Sequence, residues 1–155
     1  MKTKAVILHS ARAMEAVGAP AALLVAGLMA SSALAEGDAA HGEKLFKQCI
    51  VCHTIGEGQP SRIGPNLHGV IGRTVGSAEK FRYSKPYQEA HDAGKVWTPE
   101  DFLTFIADPR KVYAPSRMVL AIKDQKDRED LLAFLLSNSP GYDADSVATG
   151  DKPAK

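Results

Sequence analysis

The sequence predicts an all-α domain of about four to five helices joined by long loops. Three features of the chain point there. Capped segments carry apolar residues three and four positions apart, and no stretch sustains the two-residue alternation of a half-buried strand. The only two cysteines stand in one pentapeptide, Cys49-Ile50-Val51-Cys52-His53, which follows a helix-forming run.

The N-terminus reads as a secretory leader. Lys2, Lys4 and Arg12 precede the apolar stretch 21–30, and Ala33-Leu34-Ala35 forms a small-x-small cleavage site, so residues 1–35 are expected to be removed before Glu36. An uncleaved anchor is the alternative. The apolar run is rich in Ala and Gly and follows Pro20, and no flexible linker separates it from what comes next, so no permanent membrane anchor is expected.

Asp38 caps a first helix that runs to about Gln48, with Leu45 and Phe46 on a face that also holds Gly42 one turn earlier. A short helix is expected over 85–91, closed by Gly94. Thr98-Pro99-Glu100-Asp101 opens another with a cap, a proline at the first position and early acids; Phe102, Leu103, Phe105 and Ile106 give its buried side, and Asp108-Pro109 stops it. A last helix begins near Asp124 or Lys126 and carries Leu131, Leu132, Phe134, Leu135 and Leu136 before Asn138 and Pro140 end it. The loop 54–80 is punctuated by Gly and Pro and offers no strand. Residues 139–155, polar and rich in Gly, Pro and Asp, read as a flexible tail.

The pentapeptide carries the chemistry. Two thiols three positions apart lie on nearly one side of a helical turn and can both add to the vinyl groups of a single porphyrin, while His53 projects an imidazole to the iron. A redox-active disulfide would want a preceding strand, and zinc would need a further ligand pair. The run from Gly42 to Gln48 is helical in character and no second pair is evident. One haem c, bound through Cys49 and Cys52, is the reading.

Charge narrows the partners. The full chain carries a formal +1, and removal of Lys2, Lys4, Arg12 and Glu15 with the leader turns this into −1. Nucleic-acid binding, which shows as a strong basic excess, is not expected. Partner recognition must rest on local patches.

The second iron ligand can be sought by elimination. Met1, Met14 and Met29 lie in the leader, which leaves Met118, in the loop Tyr113-Ala114-Pro115-Ser116-Arg117-Met118, as the one thioether of the mature chain. A lone methionine can also be core filler, and His41, His68 and His91 compete as ligands.

At this point the chain resembles a known family along nearly its whole mature length, the class I cytochromes c. The matching residues are Gly42 with Phe46, the attachment pentapeptide, Gly64-Pro65-Asn66-Leu67-His68-Gly69 followed by Gly72-Arg73, Phe81 with Tyr83, Trp97, Met118 and Arg128-Glu129-Asp130-Leu131. The resemblance implies the cytochrome c fold over residues 36–138, with His53 and Met118 as axial ligands. It further implies that the Pro65 carbonyl accepts from the far nitrogen of His53. Tyr83 and Trp97 would donate to a propionate, with Arg73 nearby and Ser116 as a further donor. Gly42 would let the first and last helices cross, with Phe46, Leu131 and Phe134 at the contact. Three departures stand out: Ala114-Pro115 where the family usually has Pro-Gly, Phe105 in place of a common tyrosine, and one residue fewer after Met118.

The function implied is a soluble periplasmic one-electron carrier and not an enzyme. Iron held on both faces by protein has no site for oxygen or substrate, and a thioether ligand with burial favours the ferrous state. The expected partners are membrane or periplasmic redox proteins that meet a haem edge ringed by Arg62, Arg110, Lys111, Arg117 and Lys123, and the carrier is expected to be a monomer. A peroxidase-like haem enzyme or a ligand sensor is the alternative, and either needs a labile sixth position.

Overall fold

The structure, a computed structural model, describes residues 37–144. The expected leader and residues 145–155 of the expected tail lie outside that range. Five helices follow in order: α1 Ala39–Phe46, α2 Lys85–Asp92, α3 Pro99–Ala107, α4 Pro109–Val112 and α5 Gln125–Ser137. Among the described residues there is no strand, only an isolated antiparallel bridge between Thr74 and Val96.

Side-chain caps set most helix starts. Asp38 accepts from the backbone N–H of Ala40 and His41, Thr98 from Asp101, and Asp124 from Asp127. α2 begins after Ser84 without a side-chain cap and uses Pro86 in its first turn; past its end, Gly94 takes φ +69. Asp108-Pro109 does more than stop α3. The Asp108 carboxylate accepts from Lys111 N–H at 3.3 Å and Pro109 supplies the first residue of a new turn, so the breaker is also the start of α4.

The first and last helices cross in close contact. A Cβ at Gly42 would lie 2.0 Å from the Asp130 carbonyl oxygen, and one at Gly37 would lie 2.2 Å from that of Glu129. Only glycine lets two backbones approach so far. Beside the crossing, Phe46 and Phe134 pack at 5.1 Å between ring centroids, and Leu131 is fully buried.

Asp130 belongs to this crossing. It is 2% exposed. Its carboxylate accepts from Asp38 N–H at 2.6 Å, pairs with His41 Nδ1 at 2.9 Å and forms an ion pair with Lys126. The Lys126 ammonium first, with the other two donors, holds the acid down to about 2. The residues placed at the start of the tail also join the domain. Ser139 is buried, accepting from Ile71 N–H at 3.3 Å and donating to Leu135 O at 2.8 Å, and Tyr142 packs beside Gly72.

The inner faces of α3 and α5, through Phe102, Phe105, Ile106, Leu131 and Leu135, meet Ile71 and Val75 of the long loop. Each such side chain contributes about 1.5–3 kcal/mol when withdrawn from water. No helix among the described residues is long and apolar enough to cross a membrane.

Candidate functional site

α3, α5 and the loops between α1 and α3 enclose a cavity of about 860 Å³. Its walls are mostly apolar, and Cys49, Cys52, His53 and Met118 all line it.

α1 delivers the pentapeptide. Past Phe46 the chain continues as a hydrogen-bonded turn, with Cys49 N–H donating to Phe46 O at 2.7 Å and His53 N–H to Cys49 O at 2.9 Å. Burial, reinforced by the neighbouring Cys52, pushes the free Cys49 thiol up to about 11. The His53 imidazole is fixed from behind, its Nδ1 lying 2.8 Å from the Pro65 carbonyl. A carbonyl only accepts, so Nδ1 carries the proton and Nε2 keeps its lone pair. Burial holds this imidazole below the usual histidine range, against the Pro65 bond, which raises it, so the neutral ligating form is favoured.

Gly64 makes the space for that ring. A Cβ there would stand 2.4 Å from His53 Cε1 and 2.7 Å from both ring nitrogens. The loop that carries Gly64 and Pro65 is stapled by polar side chains. Gly64 N–H donates to Cys52 O at 2.8 Å, and the Asn66 amide donates to Gly56 O and Gln59 O while accepting from His68 N–H. Arg73 donates to His68 O and Asn66 O, both at 2.9 Å, so it braces the loop as well as lining the cavity.

The remaining expected residues gather at the same walls. Tyr83 accepts from Ala78 N–H at 3.3 Å, which leaves its own O–H for a further acceptor, and burial pushes its phenol up. Trp97 is buried against Phe105, with ring centroids 4.9 Å apart. Ser116 Oγ accepts from Met118 N–H at 3.2 Å and lies 3.3 Å from the Tyr87 hydroxyl. Of the five basic residues expected at the rim, Arg62 and Arg117 line the cavity, whereas Arg110, Lys111 and Lys123 are exposed without lining it.

Lys80, Arg82 and Tyr87 are among the wall residues that were not anticipated. Lys80 and Arg82 line the cavity from loop positions where the sequence gives charge but no direction. Tyr87 does so from α2, and its place among the aromatic residues is its only mark in the sequence.

A haem fits these residues. The donor set is two thiols, an imidazole with a free Nε2 and a thioether; Gly64 leaves a cradle that a methyl would fill; and the walls include Arg62, Arg73, Lys80, Arg82 and Arg117 with no carboxylate, as a group bearing two propionates requires. Comparison with known proteins agrees with this geometry. The family profile described as Cytochrome c matches residues 39–139.

The chain belongs to the cytochrome c family.

Its relatives include the cytochrome c2 of Agrobacterium tumefaciens (strain II Chrys), 41% identical over 102 residues covering 65% of this chain and 92% of that protein. The cytochrome c of Stellaria longipes is 43% identical over 103 residues, 64% of this chain and 92% of that one. The solved structure of cytochrome c2 from Rhodospirillum centenum superimposes with a TM-score of 0.62 at 37% identity, covering 67% of this chain and all of that one. As a cytochrome c the chain is an electron carrier and not an enzyme, its family implies covalently bound haem c, and its partners are redox proteins.

Proposed function

We propose that this cytochrome c is a periplasmic one-electron shuttle whose iron is held by His53 and Met118. The observation that carries the reading is the shared cavity, in which the imidazole and the thioether line the same walls as both cysteines while Pro65 fixes His53 from behind. When bound, the haem supplies the one-electron couple between ferrous and ferric iron.

The chain's own residues do the rest. The Pro65 carbonyl sets the tautomer of His53 and raises its basicity as a ligand. With Met118 as the second protein ligand, no position remains for oxygen, peroxide or substrate. Phe102, Phe105, Ile106, Leu131 and Leu135 exclude water and keep the medium apolar, which favours the ferrous state. Arg73 and Tyr83 offer charge and a hydroxyl to a propionate. At the rim Ile63 and Val119, 78% and 75% exposed, stand beside Arg62, Arg117, Lys80 and Arg82, a face suited to brief contact with an acidic redox protein. The leader ends at Ala35 in this reading, and the carrier works as a monomer.

The visible spectrum and intact mass of the protein recovered from the periplasm test these points together. The expected mass is that of residues 36–155 plus one haem, and the ferric protein at neutral pH is expected to display the methionine-to-iron charge-transfer band. Met118→Ala abolishes the band. A high-spin ferric spectrum of the unsubstituted protein overturns the reading, and a band that survives Met118→Ala moves the ligand elsewhere.

A further inference from the structure

The segment that carries Met118 is held by few bonds. The chain leaves α4 with Tyr113 N–H on Pro109 O at 3.1 Å and is next tied by its backbone at Ile122, whose N–H donates to Ile106 O at 2.9 Å. Across residues 114–121, among the described residues, the hydrogen bonds run through a single atom. Ser116 Oγ accepts the Met118 N–H at 3.2 Å and shares a bond of 3.3 Å with the Tyr87 hydroxyl. Burial replaces them only in part, since Met118 and Leu120 pack against the core while Ala114, Pro115, Arg117 and Val119 are all exposed.

Tyr87, in contrast, is firmly set. It stands on α2 with its ring stacked on Tyr113, centroids 4.5 Å apart at 29°, and with its edge towards Phe105 at 6.4 Å. Tyr83 flanks it at 5.8 Å. A rigid aromatic platform therefore presents one hydroxyl to a loop that has no ladder of its own.

We propose that Tyr87 is a positioning residue for Met118, its hydroxyl acting through Ser116 Oγ to fix the loop that offers the sulfur to the cavity. This rests on Met118 being the second ligand. Without the bond the loop samples more conformations, and the fraction in which the sulfur is correctly placed falls.

The test is titration of the ferric holoprotein with imidazole, which binds as the methionine band disappears. Tyr87→Phe removes one oxygen and leaves the ring stack, and the apparent imidazole affinity is expected to rise about threefold to tenfold, as loss of one ordinary hydrogen bond implies. Ser116→Ala shifts it the same way. The pair Y87F/S116A together shifts it no further than the larger single change, because both break one connection. Ser116→Thr keeps a hydroxyl and the original affinity. An unchanged affinity in Tyr87→Phe, or additive effects in the double variant, overturns the proposal. Failure of the ligand reading is visible separately, as absence of the band from the unsubstituted protein. The tether is then read from the Met118 amide proton, whose exchange in the holoprotein is expected to quicken several-fold in Tyr87→Phe; an unchanged rate overturns it.

Discussion

Gly42→Ala is the most searching single change at the helix crossing. The added methyl would lie 2.0 Å from the Asp130 carbonyl oxygen, 2.6 Å from its carbon and 2.9 Å from Phe134 Cβ, where ordinary contact begins at 3.4 Å. The nearest obstacle is backbone, so α1 and α5 must move apart by more than an ångström. That movement loosens the Phe46–Phe134 contact and the bonds from Asp38 and His41 to Asp130. Overpacking of this kind costs about 1–3 kcal/mol, and rigid backbone puts this case at about 3. Alanine's better helix propensity returns about 1 kcal/mol. The net loss of about 2 kcal/mol lowers the thermal midpoint of a domain this size by about 8–16 °C. The assay is thermal unfolding of the holoprotein followed by far-ultraviolet circular dichroism. Gly141→Ala serves as control, because nothing stands within 4 Å of its added methyl. A Gly42→Ala midpoint equal to that of the control would refute the close-crossing argument.

The remaining predictions concern charge. Asp130 titrates near 2 when folded against an ordinary 3.8, so the stability it contributes is fully present above about pH 4 and is lost as pH falls towards 2. Asp130→Asn, measured by denaturant unfolding from pH 5 to pH 2, is expected to be less stable at pH 5 and to have a flatter profile below it; an unaltered slope defeats the assignment. At the cavity rim, Lys80→Glu with Arg82→Glu is expected to slow electron transfer to an acidic redox protein several-fold at low ionic strength, the difference fading as salt is added. Rates indifferent to salt, read by stopped-flow absorbance, would remove the rim charges from the encounter.

Local chemistry was legible in the sequence and long-range geometry was not. Asp38, Thr98 and Asp124 declare helix starts because a cap acts within three residues, and the cysteine pair with His53 declares its chemistry within five. Gly42 was readable because its spacing from Phe46 marks one helix face, and the pairing of Pro65 with His53 followed from the family resemblance. The burial of Asp130 was not legible, since it depends on Asp38 and His41, 92 and 89 positions away. Tyr87 and Ser116 meet across 29 positions, and nothing near either residue in the chain announces the other. The same reason hid the place of Lys80 and Arg82 at the cavity rim. α4 was missed for a different one, because Asp108-Pro109 satisfies the rules for ending a helix and for beginning one.

The crossing of α1 with α5 also governs how the domain comes into being. The first helix finds its main partner only in the last, and Leu131 and Leu135 of that last helix form part of the cavity wall. A growing chain therefore has no stable stopping place, because every shorter fragment lacks both the companion of α1 and one side of the cavity. Folding is all-or-none in such an arrangement and slowed by the need to bring its ends together. The chain cannot be trimmed at the start of α1 or the end of α5 without opening the cavity.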